Sequence, residues 1–575
     1  MAALAPSQCS DSDQIMCAYD VAIIGGGPAG STLGSLIRKY AQQAKVVILE
    51  REQFPREHVG ESQLPLIGSI LDEMGVWDKV EAANFPIKIG ATYRWGKTDD
   101  LWDFEFLPGK DFVGGERPAK YEGERRKTAF QVERSVYDKI LLDHARECGC
   151  EVHESTAVNQ VLHEGASISG LRTSAGEISA KYYIDASGNA AVLRRALGVT
   201  VDEPSRLKNV AFWSYWDDAE WAVTLGQGGT RVNVMSLGYG WLWFIPISAT
   251  RASVGLVMPA DIYKEKKLRP EEIYTEAVKS EALINKLLRN ATQSGPVHGT
   301  KDWSFVANQM AGPNWYLVGE AAGFADPILA AGLTLTHTGA RELAYILVDH
   351  LTGSHDPVWL ASHYESSQQK RIRQHIRFAD YWYTANAHFS ELKEYVAEIA
   401  KDEGLELSPD QAFQWLGTGG FINDDWRVAR VATFALGATK QLTQFFGDGD
   451  STWEIAKYSR FIANLADAES ESVPAFHNGQ ILVRQTLRRD GNVLPIVGMY
   501  QKIADFLGVE RTAGQLRAFL AQTCPTPATY TNAIEVLEAM TQSGWVIGRR
   551  DPLEMPFEVT TPVESEILHL NTDQL

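Results

Sequence analysis

Between the apolar run Val21–Ile24 and a helical pattern reaching about Tyr40 lies Gly25-Gly26-Gly27-Pro28-Ala29-Gly30. This is GxGxxG at the junction of a strand and a helix, and few folds place it there. Gly25 permits the tight turn, Gly27 lets the backbone approach a pyrophosphate, and Gly30 lets the helix pack against the strand. The N–H groups at the helix start, around Ala29, then face the phosphate charge. A second apolar strand, Val46–Leu49, ends at Glu50, about 20 residues further on, where a carboxylate accepts hydrogen bonds from ribose hydroxyls. The next residue, Arg51, is assigned to the same pocket. The spacing predicts a Rossmann-type βαβ unit holding a dinucleotide.

A chain of 575 residues exceeds one compact core, so two or more structural units are expected. The expected fold class is α/β, with residues 1–16 as a disordered tail and residues 17–351 as a dinucleotide-binding module. A mixed β-sheet on the substrate side is read at about 205–300, where aromatic and β-branched residues alternate with polar ones. Residues 352–575 read as a mainly helical C-terminal domain.

The formal net charge of -19 argues against non-specific binding to nucleic acid or an anionic membrane. No apolar run approaches the ~18 residues that would span a bilayer, and Met1 to Met16 lacks the pattern of a signal peptide. Five cysteines are too few and too scattered for a disulfide framework, which fits a reducing cytoplasm. His144, His153 and His163 show no ligand spacing, so no metal is assigned. The clusters Arg125-Arg126-Lys127 and Arg549-Arg550 read as solvated surface.

Three further segments choose between flavin and nicotinamide. Gln131-Val132-Glu133-Arg134, Asp185-Ala186-Ser187-Gly188, and Gly319-Glu320 through Asp326-Pro327 each resemble, in chain order, a flavin-contacting segment of the FAD-dependent aromatic hydroxylases and halogenases. Gly60-Glu61-Ser62, the Lys88 stretch Phe85 to Gly90, and Trp241-Leu242-Trp243-Phe244-Ile245-Pro246 narrow the resemblance to flavin-dependent halogenases that tailor natural products. The last segment fits WxWxIP at every fixed position.

That resemblance implies FAD bound by Gly25, Gly27, Ala29, Gly30, Glu50, Arg51, Glu61, Ser62, Gln131, Arg134, Asp185, Gly319, Glu320, Gly332 and Leu333. It implies that reduced FAD, O2 and chloride or bromide yield hypohalous acid. Lys88, as an amine that forms a chloramine or as an ammonium that hydrogen-bonds and polarises hypohalous acid, would then act partway along a tunnel walled by Trp241, Trp243, Ile245 and Pro246 that leads to a phenolic or pyrrolic substrate, free or tethered to a carrier protein. Halide is placed at Ala331 and Gly332. There the chain reads Ile328-Leu329-Ala330-Ala331-Gly332-Leu333-Thr334-Leu335, without the serine and histidine usual in the family. With one dinucleotide fingerprint visible, reduced FAD is expected from a separate flavin reductase. The alternatives are a flavin monooxygenase or reductase of the same superfamily, and a non-catalytic flavin-binding scaffold that contacts carrier proteins.

Overall fold

The computed structural model describes residues 19–96, 99–205, 208–384, 386, 453–489, 492–559 and 568–570. The expected tail at 1–16 lies outside them. The described residues fall into two compact units, and the first takes those up to Thr92, Gly109–Asp380 and Asn478–Ile481. Its leading elements are β1 (Tyr19–Ile24), α1 (Pro28–Tyr40), β2 (Val46–Leu49), β3 (Ile87–Arg94), β4 (Ala129–Phe130), α2 (Arg134–Glu147), β5 (Glu151–His153) and β6 (Ala180–Asp185). There follow β7 (Lys208–Asp217), β8 (Gly229–Leu237), β9 (Gly240–Pro246), β10 (Arg251–Pro259), α3 (Ala260–Lys266), α4 (Pro270–Ser280), β11 (Thr292–Trp303), β12 (Trp315–Leu317), α5 (Gly332–Thr352) and α6 (Pro357–Thr384).

Five strands form a parallel sheet in the order β12-β6-β1-β2-β5. Its central strands are unbroken apolar runs because both faces are covered: all four residues of β2 are buried. α1 begins with Pro28 directly after Gly27, where a fixed φ favours initiation and the missing N–H costs nothing.

The second sheet of this unit runs β11-β7-β10-β9-β8-β3. It falls where the aromatic alternation placed it, and register separates its faces. Tyr215 opposes Ser253, which opposes Ile245, while Trp213 opposes Gly255, which opposes Trp243. Trp241, Trp243 and Ile245 therefore share one face with Trp213 and Tyr215. The other face carries Phe212 and Trp216, which pack on Tyr263 of α3 and Tyr274 of α4. Pro246, paired with Ala252, belongs to that helix-covered face.

The division falls at Asp380 rather than at Leu351, so α6 through that residue belongs with the first unit. In the second unit, the described residues from 453 on are not mainly helical. Strands Arg460–Ala463, Glu469–His477, Gln480–Arg489 (of this unit from Leu482 on), Asn492–Pro495, Arg511–Thr512 and Val546–Arg549 accompany helices Gly498–Phe506, Ala513–Thr523 and Pro527–Gln542. Phe461, Leu516, Leu520, Ile534, Leu537 and Trp545 build its core.

Candidate flavin and halogen site

The glycine loop is shaped by contact. Gly25 has φ 108°, and a Cβ there would stand 2.3 Å from the Ala186 carbonyl oxygen. A Cβ on Gly30 would stand 2.0 Å from the Gly25 carbonyl oxygen. Neither position accepts a side chain. Buried Glu50 braces the loop: its Oε2 accepts from the Gly26 N–H (2.7 Å) and its Oε1 from the Glu52 N–H (2.9 Å). Each oxygen keeps a second lone pair for a ribose hydroxyl. Arg51 points outward at 64% exposure and pairs with Glu52. The cation beside the loop is Arg56, whose Nη2 lies 3.2 Å from where a Gly27 Cβ would be.

The next segment is annealed to its neighbours. Ser62 bridges Gln131 in antiparallel register, the Val132 N–H donates to the Glu61 carbonyl (2.8 Å), and the Gln63 N–H to the Phe130 carbonyl (3.1 Å). Gln131 is fully buried, yet neither amide atom has a hydrogen-bond partner, and Ser62 Oγ has none either. Such atoms are costly unless a ligand satisfies them. Arg134 is occupied by Asp138 (2.7 and 2.9 Å) and by the carbonyls of Val59 and Gly60. The Tyr215 hydroxyl donates to Glu61 Oε1 (3.2 Å). That bond turns the tryptophan-bearing face of the second sheet toward the 58–62 loop.

Asp185 spends both oxygens on its own chain, accepting from Ser187 and from the N–H groups of Leu193 and Arg194. Its visible role is to close the turn after β6. Asp326 likewise caps the Ile328 N–H (2.9 Å). Gly319 and Glu320 form the turn after β12, with Gly319 at φ 64°, and burial raises the Glu320 carboxyl above its usual range. Glu320, Gly332, Thr336 and Gln368 of α6 line one cleft. Leu333 is buried in the first turn of α5, and Ala331 caps that helix.

Lys88 lies on β3 at 2% exposure, and its Nζ donates to the Gln63 carbonyl (3.0 Å). Burial lowers its pKa to about 7. Trp241 and Trp243 stand with ring centroids 6.0 Å apart. The Trp243 Nε1 donates to Ser253 Oγ (3.1 Å), and its ring covers Gly255, where a Cβ would be 2.2 Å away.

Orphaned polar atoms at Ser62 and Gln131, a side-chain-free glycine loop and a braced carboxylate fit FAD. The family model described as FAD binding domain matches residues 18–379. The 1H-pyrrole-2-carbonyl-(peptidyl-carrier protein) chlorinase of Pseudomonas fluorescens is 33% identical over 386 residues, covering 65% of this chain and 85% of its own. The chain belongs to the flavin-dependent halogenases. A tryptophan 2-halogenase of Chondromyces crocatus is 30% identical over 383 residues, covering 65% of this chain and 69% of its own. The solved myxobacterial chondrochloren halogenase superposes with TM-score 0.58 at 29% identity, over 67% of this chain and 90% of its own. CmlS, a flavin-dependent halogenase, shares the fold with TM-score 0.71 at 24% identity, over 94% of this chain and 98% of its own. FAD and halide are therefore the cofactor and co-substrate of this enzyme.

Two further features of this halogenase escaped the sequence. His337 is fully buried and takes hydrogen bonds with Thr32 Oγ1 and the Tyr137 hydroxyl, both 2.9 Å. It thus ties α1, α2 and α5 together around the site, and burial lowers its pKa to about 3, which keeps it neutral. Arg125, read as surface, is 2% exposed and faces Glu81, which Arg117 also contacts. Charge clusters read from sequence miss such pairs because the buried carboxylate is 44 residues away.

Proposed function

We propose that this enzyme chlorinates or brominates an electron-rich ring, a pyrrole or a phenol, by way of the Lys88 amine. The observation that carries the reading is a lysine buried to 2% exposure on β3, whose pKa desolvation lowers to about 7, so that the neutral, unprotonated amine is populated near neutral pH. The chemistry that bound, reduced FAD supplies, with O2 and halide, is the generation of hypohalous acid. Gly25, Gly27, Ala29, Gly30 and Glu50 would hold the dinucleotide end, with Arg56 beside the phosphates, and Ser62, Gln131 and Glu320 would meet the rest.

The amine of Lys88 attacks the halogen of hypohalous acid. The N–halogen bond forms, the halogen–oxygen bond breaks, and hydroxide leaves with an amine proton as water. The substrate ring then takes the halogen, loses its proton, and the amine is restored. The Gln63 carbonyl accepts one N–H of Lys88 and holds the amine in place. Trp241, Trp243 and Ile245 form the wall that keeps the ring from the site where oxidant is made, separating halogenation from hydroxylation by geometry. Pro246 closes the same strand from its other face.

The pyrrole-carrier chlorinase among the relatives supports a substrate presented on a carrier protein. We infer that reduced FAD comes from a separate reductase and that the enzyme works in the cytoplasm, where Cys148, Cys150 and Cys524 stay as free thiols. The test supplies reduced FAD, O2 and bromide with free and carrier-tethered pyrrole-2-carboxylate and with phenols, and reads products by mass spectrometry. Bromine gain supports the reading. Oxygen gain would make the protein a monooxygenase, and flavin oxidation no faster than in free solution would make it a binding scaffold.

A further inference from the structure

The chain as a whole is acidic: 73 Asp and Glu stand against 54 Lys and Arg, a net charge of -19. One helix reverses the sign. Between Glu365 and Asp380, α6 carries Lys370, Arg371, Arg373 and Arg377 and no acidic residue. Arg371 turns inward to the buried Glu342. Lys370, Arg373 and Arg377 follow at steps of three and four residues, so they share one face, and both Lys370 and Arg377 are exposed.

The neighbours of that stripe extend it. Gln369 Nε2 donates to the Ala307 carbonyl (3.0 Å), and Arg373 pairs with Asp202 (3.3 Å), which holds α6 against the paired strands Val201–Asp202 and Phe305–Ala307. Phe305 carries the Arg194 guanidinium 5.0 Å above its ring, and exposed Arg195 follows. The acids here are already engaged, Asp202 by Arg373 and Glu203 by Lys208. Arg195 gives one N–H to the Asn189 carbonyl (3.0 Å), and neither it nor Arg377 has a carboxylate partner among the described residues. The face also borders the site. Asp380, at the end of the stripe, accepts from Ser205 Oγ (2.6 Å), just before β7, the strand that carries Trp213 and Tyr215. All of these residues belong to the first unit.

We propose that the face formed by Arg195, Arg373 and Arg377 is where an acidic carrier protein docks to present its tethered substrate to this enzyme. The assignment rests on the carrier-tethered reading above. An enzyme of this net charge repels an acidic partner over most approaches, so encounter is steered to the place where the field changes sign. A substrate held on a flexible arm enters the tunnel while its carrier stays outside, so the docking face belongs beside the tryptophan-bearing sheet and not within it. Arginine suits the role, because its guanidinium pairs with a carboxylate through two N–H groups.

Bromination by the FAD-supplied enzyme is measured with two acceptors, pyrrole-2-carbonyl loaded on a peptidyl-carrier protein and a free phenol, each at low and high salt. Arg195→Glu with Arg377→Glu reverses two exposed charges that hold no carboxylate. The double variant is expected to raise KM for the carrier-bound ring about tenfold with kcat unchanged, and to lose most of the salt dependence of kcat/KM. The free phenol is expected to stay within about twofold of the parent. Arg172→Glu, exposed on the separate hairpin of Val158–Glu164 and Ser167–Thr173, is the control and is expected to match the parent on both acceptors. Parent-like KM for the carrier-bound ring in the double variant, equal losses on both acceptors, or an equal effect of Arg172→Glu overturns the docking face alone. So does salt-sensitive self-association of the parent that the double variant abolishes, seen by sedimentation, because the face would then bind a second copy of this chain. A parent that brominates only the free phenol overturns the carrier reading and the docking face with it, and one that brominates neither overturns the proposed function. If the double variant fails to fold, Arg195→Gln with Arg377→Gln gives the same decision at about threefold.

Discussion

Replacing Lys88 by methionine keeps the reach of the side chain and removes the ionisable amine. Burial lowers the Lys88 pKa from 10.5 to about 7, so between those values the unfolded chain holds a proton that the folded chain has lost. Where the unfolded state binds more protons, stability rises with pH. Below the folded pKa both states are protonated, and the folded state bears the whole cost of an interior ammonium, about 5 kcal/mol at ~1.36 kcal/mol per pKa unit. Between about pH 6 and about pH 9 the parent should regain roughly 3 kcal/mol of that cost, and Lys88→Met none of it. Urea unfolding of both proteins at about pH 6 and about pH 9 measures this, because the other titrating groups cancel in the difference. Parallel shifts of the two proteins would mean that Lys88 keeps an ordinary pKa, and the argument for a reactive amine would fail.

Other substitutions test the cradle and the wall. Gly30→Ala places a methyl 2.0 Å from a carbonyl oxygen and should cost more than the ~1–3 kcal/mol of ordinary overpacking, with the purified protein colourless for want of FAD. Glu50→Gln removes the charge that braces the Gly26 N–H, and FAD affinity by fluorescence quenching should drop about tenfold. Gly255→Ala drives a methyl into the Trp243 ring. Displacing that wall should lower halogenated product per reduced flavin consumed, read by chromatography against flavin absorbance.

What the sequence made legible was local or periodic. The glycine loop, Glu50 and the first βαβ unit sit within about 30 consecutive residues, as such units do, and the structure keeps their order. The shared face of Trp241, Trp243 and Ile245 follows from strand alternation, which also places Pro246 on the opposite face. What stayed hidden depends on distant partners. Arg56 beside Gly27, Tyr215 on Glu61 and His337 between Thr32 and Tyr137 join residues 29 to 305 positions apart in the chain. The C-terminal strands were missed for another reason: Gln480–Arg489 is largely exposed and Glu469–His477 buries only Pro474 and Phe476, so no sustained apolar alternation marks them. α6 was given to the wrong side of the division because a helix carries no sign of which core it serves.

Lys88 is a halogen carrier only if oxidised halogen comes to rest on its amine. The holoenzyme is given one equivalent of reduced FAD with O2 and chloride, without acceptor, freed of small molecules and titrated with a thiol. The parent should retain close to one oxidising equivalent on the protein, consumed when an acceptor is added, and Lys88→Met should retain none. Equal oxidising equivalents on parent and variant would contradict the central claim.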